Sequence, residues 1–433
     1  MKTTSMHEEH GAAESSEHEV AELMRQEEKQ GLHEKWWILS VFAAIVPFGL
    51  TFSSSLRPLF ESMKADTLWV PPIDEHDIGL LDGALLLPSL FVPVFMGMLL
   101  DSSWSVNLGL LVCLSGSVLG HLFVALGIAW HSFGLALLGR VISGMCCGSI
   151  LVVADTIGAQ FNRKRRATTF GLIGSIQSVG FALNMFLFSG FVERSLDANY
   201  EKGNDVLMIV GLLCLGIGFL WSPITSSFHL RDTTKRRFWK WHVPLSVWAL
   251  LLAEVFSVVY HAGPSTTNNT YVYELGTIIL LGPLLGYYLD VTTKSQDGCK
   301  SPSRWLIGVT TVVLVGNVMN RMSPGTNIGG IVAAVGAGLV NMLVRCVVPQ
   351  IASRDNLSTS FGLIESGMFV GIMVLSSALQ LTYLVEMIYL VANIVIFGYI
   401  MLKVGEKWRP RTHEHVESGI GGELTEPLHG RGG

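Results

Sequence analysis

Charge is what this chain is short of. Only 15% of its 433 residues are charged, against roughly 25% in an average soluble domain, while 50% are hydrophobic. A water-soluble globule of that composition would leave too much apolar surface uncovered, so the sequence reads as a membrane protein embedded in a lipid bilayer. A basic stripe is also missing: Lys and Arg are spread along the chain and the formal net charge is −5, which argues against nucleic acid as a partner. Cysteine is scarce. Cys113, Cys146, Cys147, Cys214, Cys299 and Cys346 fall in predicted helices or in a loop assigned below to the cytoplasm, so no disulfide is expected, and no metal-ligand spacing is present. HExxH, a nucleophile elbow, a phosphate loop and paired aspartates on facing helices are all absent, which gives no support to an enzyme or to a bound cofactor. The first 35 residues hold no apolar region and no small-residue cleavage site, so no cleaved signal peptide is expected.

What the chain does have is long apolar runs. A bilayer core needs about 20 apolar residues per helix, because each residue rises about 1.5 Å and lipid leaves no backbone polar group a partner outside the helix. That yardstick picks out twelve segments, near 37–58, 78–100, 105–128, 132–156, 168–191, 204–226, 243–263, 271–291, 304–322, 326–350, 357–380 and 382–402. The expected organisation is a disordered acidic tail (1–35), a six-helix bundle (36–227), a basic linker (228–242), a second six-helix bundle (243–403) and a disordered tail (404–433).

Basic residues collect in the loops that follow even-numbered segments. Residues 162–166 read NRKRR, the stretch 231–240 holds Arg231, Lys235, Arg236, Arg237 and Lys240, and the next such loop has Lys294, Lys300 and Arg304. Odd loops carry single charges such as Lys64, Arg194 and Lys202. Both termini are therefore expected in the cytoplasm, which requires an even number of spans. The sequon Asn268, Asn269, Thr270 lies in an outside loop so short that glycosylation is not expected.

The two halves repeat each other. Gly97 to Asp101 (GMLLD) matches Gly286 to Asp290 (GYYLD) at an offset of 290 − 101 = 189, each closing the second segment of its half. FGLIGSIQSVG from Phe170 matches FGLIESGMFVG from Phe361 at 361 − 170 = 191, each opening the fifth segment. Six helices are thus repeated in parallel, an arrangement in which substrate sites lie near the midplane between the halves.

On these residues the chain resembles the major facilitator transporters. Gly-x-x-x-Asp at the turn after the second segment is similar to the first part of their signature loop, and Gly139-Arg140-Val-Ile-Ser-Gly144 is similar to the arginine-bearing motif of their fourth helix. The resemblance implies an all-α fold of twelve transmembrane helices in two parallel six-helix repeats. It also implies that the loop carboxylate pairs with neighbouring helices of its own half and latches the outward-open state. Asp101 and Asp290, with Gly97 and Gly286, are the gating candidates: each carboxylate would accept hydrogen bonds from a helix N-terminus and from cations while the cytoplasmic side is shut. The alternative is a carboxylate that merely marks where a helix leaves the lipid. After Asp101 the loop reads SSWS, without the basic residues usual there.

Residues 139–185, with Phe170-Gly171-Leu172 and Gly180-x-x-x-Asn184-Met185, and residues 349–371 resemble the lysosomal dipeptide transporter branch. That resemblance implies a glutamate in the fourth helix and an arginine in the fifth to hold the two ends of a peptide. The aligned residues here are Gly148 and Ser178, a departure from that pattern.

Ionisable side chains inside a membrane segment cost at least about 2.5–3.5 kcal/mol at its centre and are site candidates for that reason. Glu254 leads them, being about 11 residues into the seventh segment, with Ser257 and His261 on its face at i+3 and i+7. A buried carboxyl there would exchange a proton near neutral pH, as proton coupling requires, or make a structural hydrogen bond between helices. Glu365 stands where the first repeat has Gly174. Arg345 would pair with Glu365 or a substrate carboxylate, or snorkel to the interface. Arg140 is too deep to snorkel and needs a partner or a substrate anion. Asp155 is expected to form a structural ion pair beside the NRKRR loop, and Asp82, Gln177, Asn184 and Asn317 offer hydrogen bonds, mostly between helices. The acidic tail also holds Glu19-Val-Ala-Glu-Leu23-Met24, similar to a dileucine sorting signal. The expected function is transport of a small polar solute (amino acid, peptide, sugar or organic anion) by alternating access, with room for proton coupling and for an accessory membrane subunit. The rivals are a dipeptide uniporter of acidic endomembranes and a receptor that keeps the fold without transporting. Plasma membrane and a lysosome-like compartment both fit.

Overall fold

The computed structural model describes residues 60, 63–64, 68–102, 104–161, 165–195, 243–262, 268–292, 301–322, 328–371, 391–400 and 402. The expected segments 37–58 and 204–226, the linker 228–242 and both tails lie outside the described residues. Among the described residues ten helices run α1 (Glu75–Ser89), α2 (Val92–Ser102), α3 (Val106–Ala129), α4 (Phe133–Phe161), α5 (Arg166–Ser195), α6 (Leu245–Ala262), α7 (Asn268–Thr292), α8 (Ser301–Met322), α9 (Ile328–Ile351) and α10 (Leu357–Val370). An eleventh, α11, covers Val391–Ile400. Among the described residues every regular element is helical.

The expected segment 78–100 is two helices in line. Proline cannot donate to the carbonyl four residues earlier, and Pro88 and Pro93 flank the break, where Leu90 N–H bonds to the Leu87 carbonyl and Phe91 N–H to that of Pro88. Upstream, α1 starts on a reciprocal cap: Asp74 accepts from the Asp77 amide at 2.9 Å and Asp77 accepts from the Asp74 amide at 3.2 Å. Ser105 caps α3 from one side only, its hydroxyl oxygen accepting from Leu108 N–H. Five stretches among the described residues are long and apolar enough to cross a bilayer by length and composition alone: Glu75–Ser102, Val106–Ala129, Phe133–Ala159, Tyr273–Thr292 and Ile328–Ile351.

Within each half the third and fourth segments pack through small residues. A Cβ on Gly139 would meet the Gly120 carbonyl, and one on Gly329 would meet the backbone of Gly316 and Asn320. Between the halves, α2 lies on α10 and α5 lies on α7. These pairs exchange roles under the repeat, second segment against fifth in both cases. Where the two pairs meet, Phe170 touches Phe361 with ring centroids 5.9 Å apart, and neither ring is exposed. They are repeat-related residues, so a contact between them lies on the pseudo-twofold axis.

Phe361→Ala is expected to cost about 3–5 kcal/mol, because it leaves a void on that axis that two halves cannot both collapse into. Phe361→Leu should lose less than half as much. Thermal unfolding midpoints in detergent check the order, and equal midpoints for the two variants would remove the axis packing from consideration.

Candidate functional site

The first four N–H groups of a helix have no partner within it. In α10 two of these belong to Ser358 and Thr359, and the residue before the helix, Asn356, makes no side-chain cap. The carboxylate of Asp101 does so from the other half of the molecule. Its Oδ1 accepts from Ser358 N–H at 3.0 Å, and its Oδ2 accepts from Thr359 N–H and the Thr359 hydroxyl, both at 2.7 Å. Asp290 repeats the arrangement on α5: Ala167 N–H donates at 3.0 Å, Thr168 N–H at 2.8 Å and the Thr168 hydroxyl at 2.5 Å. Each half thus caps a helix of its neighbour, at one end of the bundle. Asp101 and Asp290 do bind a helix N-terminus as expected, but the helix belongs to the opposite half. Same-half pairing is corrected by this geometry: α2 carries its carboxylate across the interface because it packs on α10.

The glycine four residues earlier explains how the carboxylate reaches. Positions i and i+4 share a helix face, and a Cβ on Gly97 would strike the Ser358 carbonyl while one on Gly286 would strike that of Ala167. Only a bare backbone lets these helices approach closely enough for the aspartate to cap. The contact is returned one turn on, where a Cβ on Gly362 would strike the Pro93 carbonyl and one on Gly171 that of Gly282. Sequence reasoning singles out the glycines and aspartates of this zipper and misses Thr168 and Thr359. The signal is present: Ala167-Thr168-Thr169-Phe170-Gly171 and Ser358-Thr359-Ser360-Phe361-Gly362 extend the repeat backwards by three residues.

Deeper on the same side lies a buried charge cluster. Arg345 Nη2 is 2.9 Å from Glu365 Oε1, and Arg345 Nε is 3.4 Å from Asp155 Oδ2, with all three side chains at most 4% exposed. Glu254, 2% exposed, is within electrostatic reach of the same guanidinium. Four helices contribute, α4 from one half and α6, α9 and α10 from the other. Arg345 pairs and does not snorkel, because both carboxylates are nearer than the interface. Asp155 makes an ion pair as expected, with Arg345 across the interface. Asp155 and Arg345 each lie six residues before the end of their helix, about 9 Å at about 1.5 Å per residue.

At the far end of α4, Arg140 is buried and has the partner its depth required. Its Nη2 is 3.5 Å from Asp82 Oδ1, its Nε donates to the Leu81 carbonyl, and its guanidinium carbon is 5.1 Å from the Phe60 ring centroid. Asn317 donates to the Val313 carbonyl of its own helix. Gln177 is half-buried on α5. The side chains of Ser257, His261 and Asn184 lie outside the described residues. Gly148 is packed under Pro93 and Phe369, which leaves no room there for the glutamate that the dipeptide branch implies.

Solved structures resemble this fold over nearly its whole length. The Escherichia coli fucose:proton symporter FucP superposes with a TM-score of 0.62 at 10% identity, covering 85% of this chain and 97% of that one. A bacterial homologue of the iron transporter ferroportin, in an outward-facing state with soaked iron, gives 0.60 at 13% identity over 86% and 99%. The human organic anion transporter MFSD10 gives 0.52 at 16% identity over 84% and 98%. The chain therefore shares the fold of these transporters, the major facilitator fold. In sequence it resembles the lysosomal dipeptide transporter MFSD1 of Bos taurus, at 29% identity over 133 residues, which are 30% of this chain and 28% of that protein. No family model matches the chain.

Asp101→Ala and Asp290→Ala should each expose the amides they cap. A charge-assisted hydrogen bond contributes about 1.5–3 kcal/mol, so each loss is expected to speed amide exchange at 358–359 or 167–168 by at least tenfold. Unchanged exchange would reduce the aspartates to interface markers. Gly97→Val should open the same contact with its aspartate intact.

Proposed function

We propose that the protein is an alternating-access carrier for a small polar solute, held here with one face shut. One observation supports this above the others: two repeat-related carboxylates hold the halves together through identical, separable hydrogen bonds. A rocking carrier must close one face with contacts that water can replace when the face opens, and a carboxylate on helix amides is such a contact. The basic loops favour the cytoplasm for that face and for both termini, so the solute enters from the outer side in this conformation. Amino acids, peptides, sugars and organic anions all remain admissible solutes. Proton coupling through Glu254 is part of the reading, since its carboxyl is buried at mid-helix and within electrostatic reach of Arg345.

The partial resemblance to MFSD1 favours a second reading, dipeptide uniport in an acidic endomembrane with the dileucine-like motif as its address and an accessory subunit beside it. The packing over Gly148 weighs against peptide recognition of that kind, because the terminal amine would lack its carboxylate there. A transporter-like receptor is the remaining alternative.

Uptake of a solute library into proteoliposomes, with and without a pH gradient, separates these. Concentrative uptake that collapses with the gradient supports a proton-coupled carrier, uptake of dipeptides indifferent to it supports the uniporter, and no flux for any solute supports the receptor. Glu254→Gln is expected to abolish gradient-driven uptake and leave counterflow exchange measurable. Loss of both would make Glu254 a folding or binding residue.

A further inference from the structure

Asp155 and Arg345 are repeat-related. A Cβ on Gly139 of α4 would meet the Gly120 carbonyl and one on Gly329 of α9 the Gly316 carbonyl, so the two helices correspond at an offset of 329 − 139 = 190, and 345 − 155 = 190 as well. Two equivalent residues that touch across the halves lie on the pseudo-twofold axis, as Phe170 and Phe361 do. Here the equivalents carry opposite charges. The second repeat also has Glu365 where the first has Gly174, so at these positions one half holds a guanidinium with a carboxylate and the other a carboxylate alone.

The two contacts of Arg345 differ in kind. Inside its own half, Nη2 donates to Glu365 Oε1 at 2.9 Å, a charge-assisted hydrogen bond. Across the halves, Nε faces Asp155 Oδ2 at 3.4 Å, and neither atom makes a hydrogen bond. The contact that must break when the inner face opens is therefore the looser one, and the contact that can persist is the tighter. Breaking a buried ion pair is costly chiefly because it strands a charge. Glu365 removes that cost at Arg345, since the guanidinium leaves the interface already paired, and Asp155 is left to the water that enters between the halves.

We propose that Arg345 changes partners as the inner face opens: it bridges to Asp155 while the face is shut and withdraws with Glu365 when the halves part. Glu365 is then a positioning residue that acts through Arg345 and sets how readily the face opens. This deepens the carrier reading and rests on it. Two carboxylates on one guanidinium act here in opposite directions, Asp155 holding the face shut and Glu365 favouring its release. Two struts of a static interface would act in the same direction.

Amide exchange of the full-length protein in nanodiscs, at one fixed pH, reads opening through 167–168 and 358–359, whose N–H groups the two aspartates cap. Asp155→Asn should speed exchange there at least tenfold. Glu365→Gln should slow it at least tenfold, a gain of protection that a misfolded variant cannot produce. Glu254 of the same half is within reach of Arg345 too, so the slowing should be at least as large in a Glu254→Gln background. Asp155→Arg combined with Arg345→Asp keeps opposite charges on the axis but moves the guanidinium to the half without Glu365. Exchange in that swapped pair should again be at least tenfold slower than in the native protein, whereas a plain strut would be restored to native behaviour. Amides at 120–124, where α3 packs on α4 away from the caps, should keep native protection in every variant. Exchange in Glu365→Gln that is faster than native or within twofold of it overturns the proposal, as does native exchange in the swapped pair. Asp101→Ala separates this failure from that of the carrier reading. If it speeds exchange at 167–168, beyond the amides it caps, while Glu365→Gln speeds exchange as well, the change of partners is wrong and the carrier reading stands. If it leaves 167–168 unchanged, the halves do not part as bodies and the carrier reading fails first.

Discussion

A helix that starts in a dry interface must find acceptors for amide groups it cannot bond itself, and in this protein the acceptor is a carboxylate from the other half. Most other contacts at that interface serve this one. Gly97 and Gly286 remove the side chain that would hold α2 off α10 and α7 off α5. Thr359 and Thr168 add a hydroxyl to the two amides, so that each carboxylate accepts three hydrogen bonds. Phe170 and Phe361 fill the axis between the two zippers. The arrangement is isologous in the manner of a symmetric dimer, with what one half gives to its neighbour being what it receives.

On the carrier reading proposed above, magnitudes would make this a switch as well as a clasp. Holding a two-state equilibrium at 99:1 over a state otherwise favoured 99:1 takes about 5.5 kcal/mol. Two charge-assisted caps, each contributing about 1.5–3 kcal/mol, come to about 3–6 kcal/mol. That range is what the carrier reading asks of the caps: enough to keep one face shut and little enough for solute binding to reverse. A large apolar interface alone would lack a comparable release, because water offers nothing in return for it, whereas it offers hydrogen bonds to both carboxylate and amide once they part.

The repeat is legible in the sequence because it rests on a few residues that no apolar substitution can imitate. Glycine at a backbone contact and aspartate at a helix start survive in both copies, and their offsets of 189 and 191 mark the two strips of the zipper in the bare sequence. Span positions are legible too, since lipid forces helices to announce their length. Partnership is not. Sequence neighbourhood puts Asp155 beside the NRKRR loop and Asp82 among polar helix residues, whereas their actual partners, Arg345 and Arg140, are 345 − 155 = 190 and 140 − 82 = 58 positions away. Charge pairing inside a bundle is fixed by which helices touch, and periodicity along one helix carries no record of that. The break in the second segment is readable in principle from Pro88 and Pro93, five residues apart, but an apolar run of full length hides it.

The two arginines show how differently one residue type serves in the two halves of this fold. Arg140 ties α4 to α1 within one half, close to Phe60, and so belongs to a body that moves as one. Arg345 ties the halves to each other, and every ion pair it makes with Asp155 must break if they rock apart. Breaking a buried pair is costly when the partners stay buried, and becomes feasible only if water enters or charge is neutralised first. An interface built to reopen therefore needs one of those two routes at Arg345. The repeat-related caps already supply the first at the rim, where Asp101 and Asp290 are only part-buried.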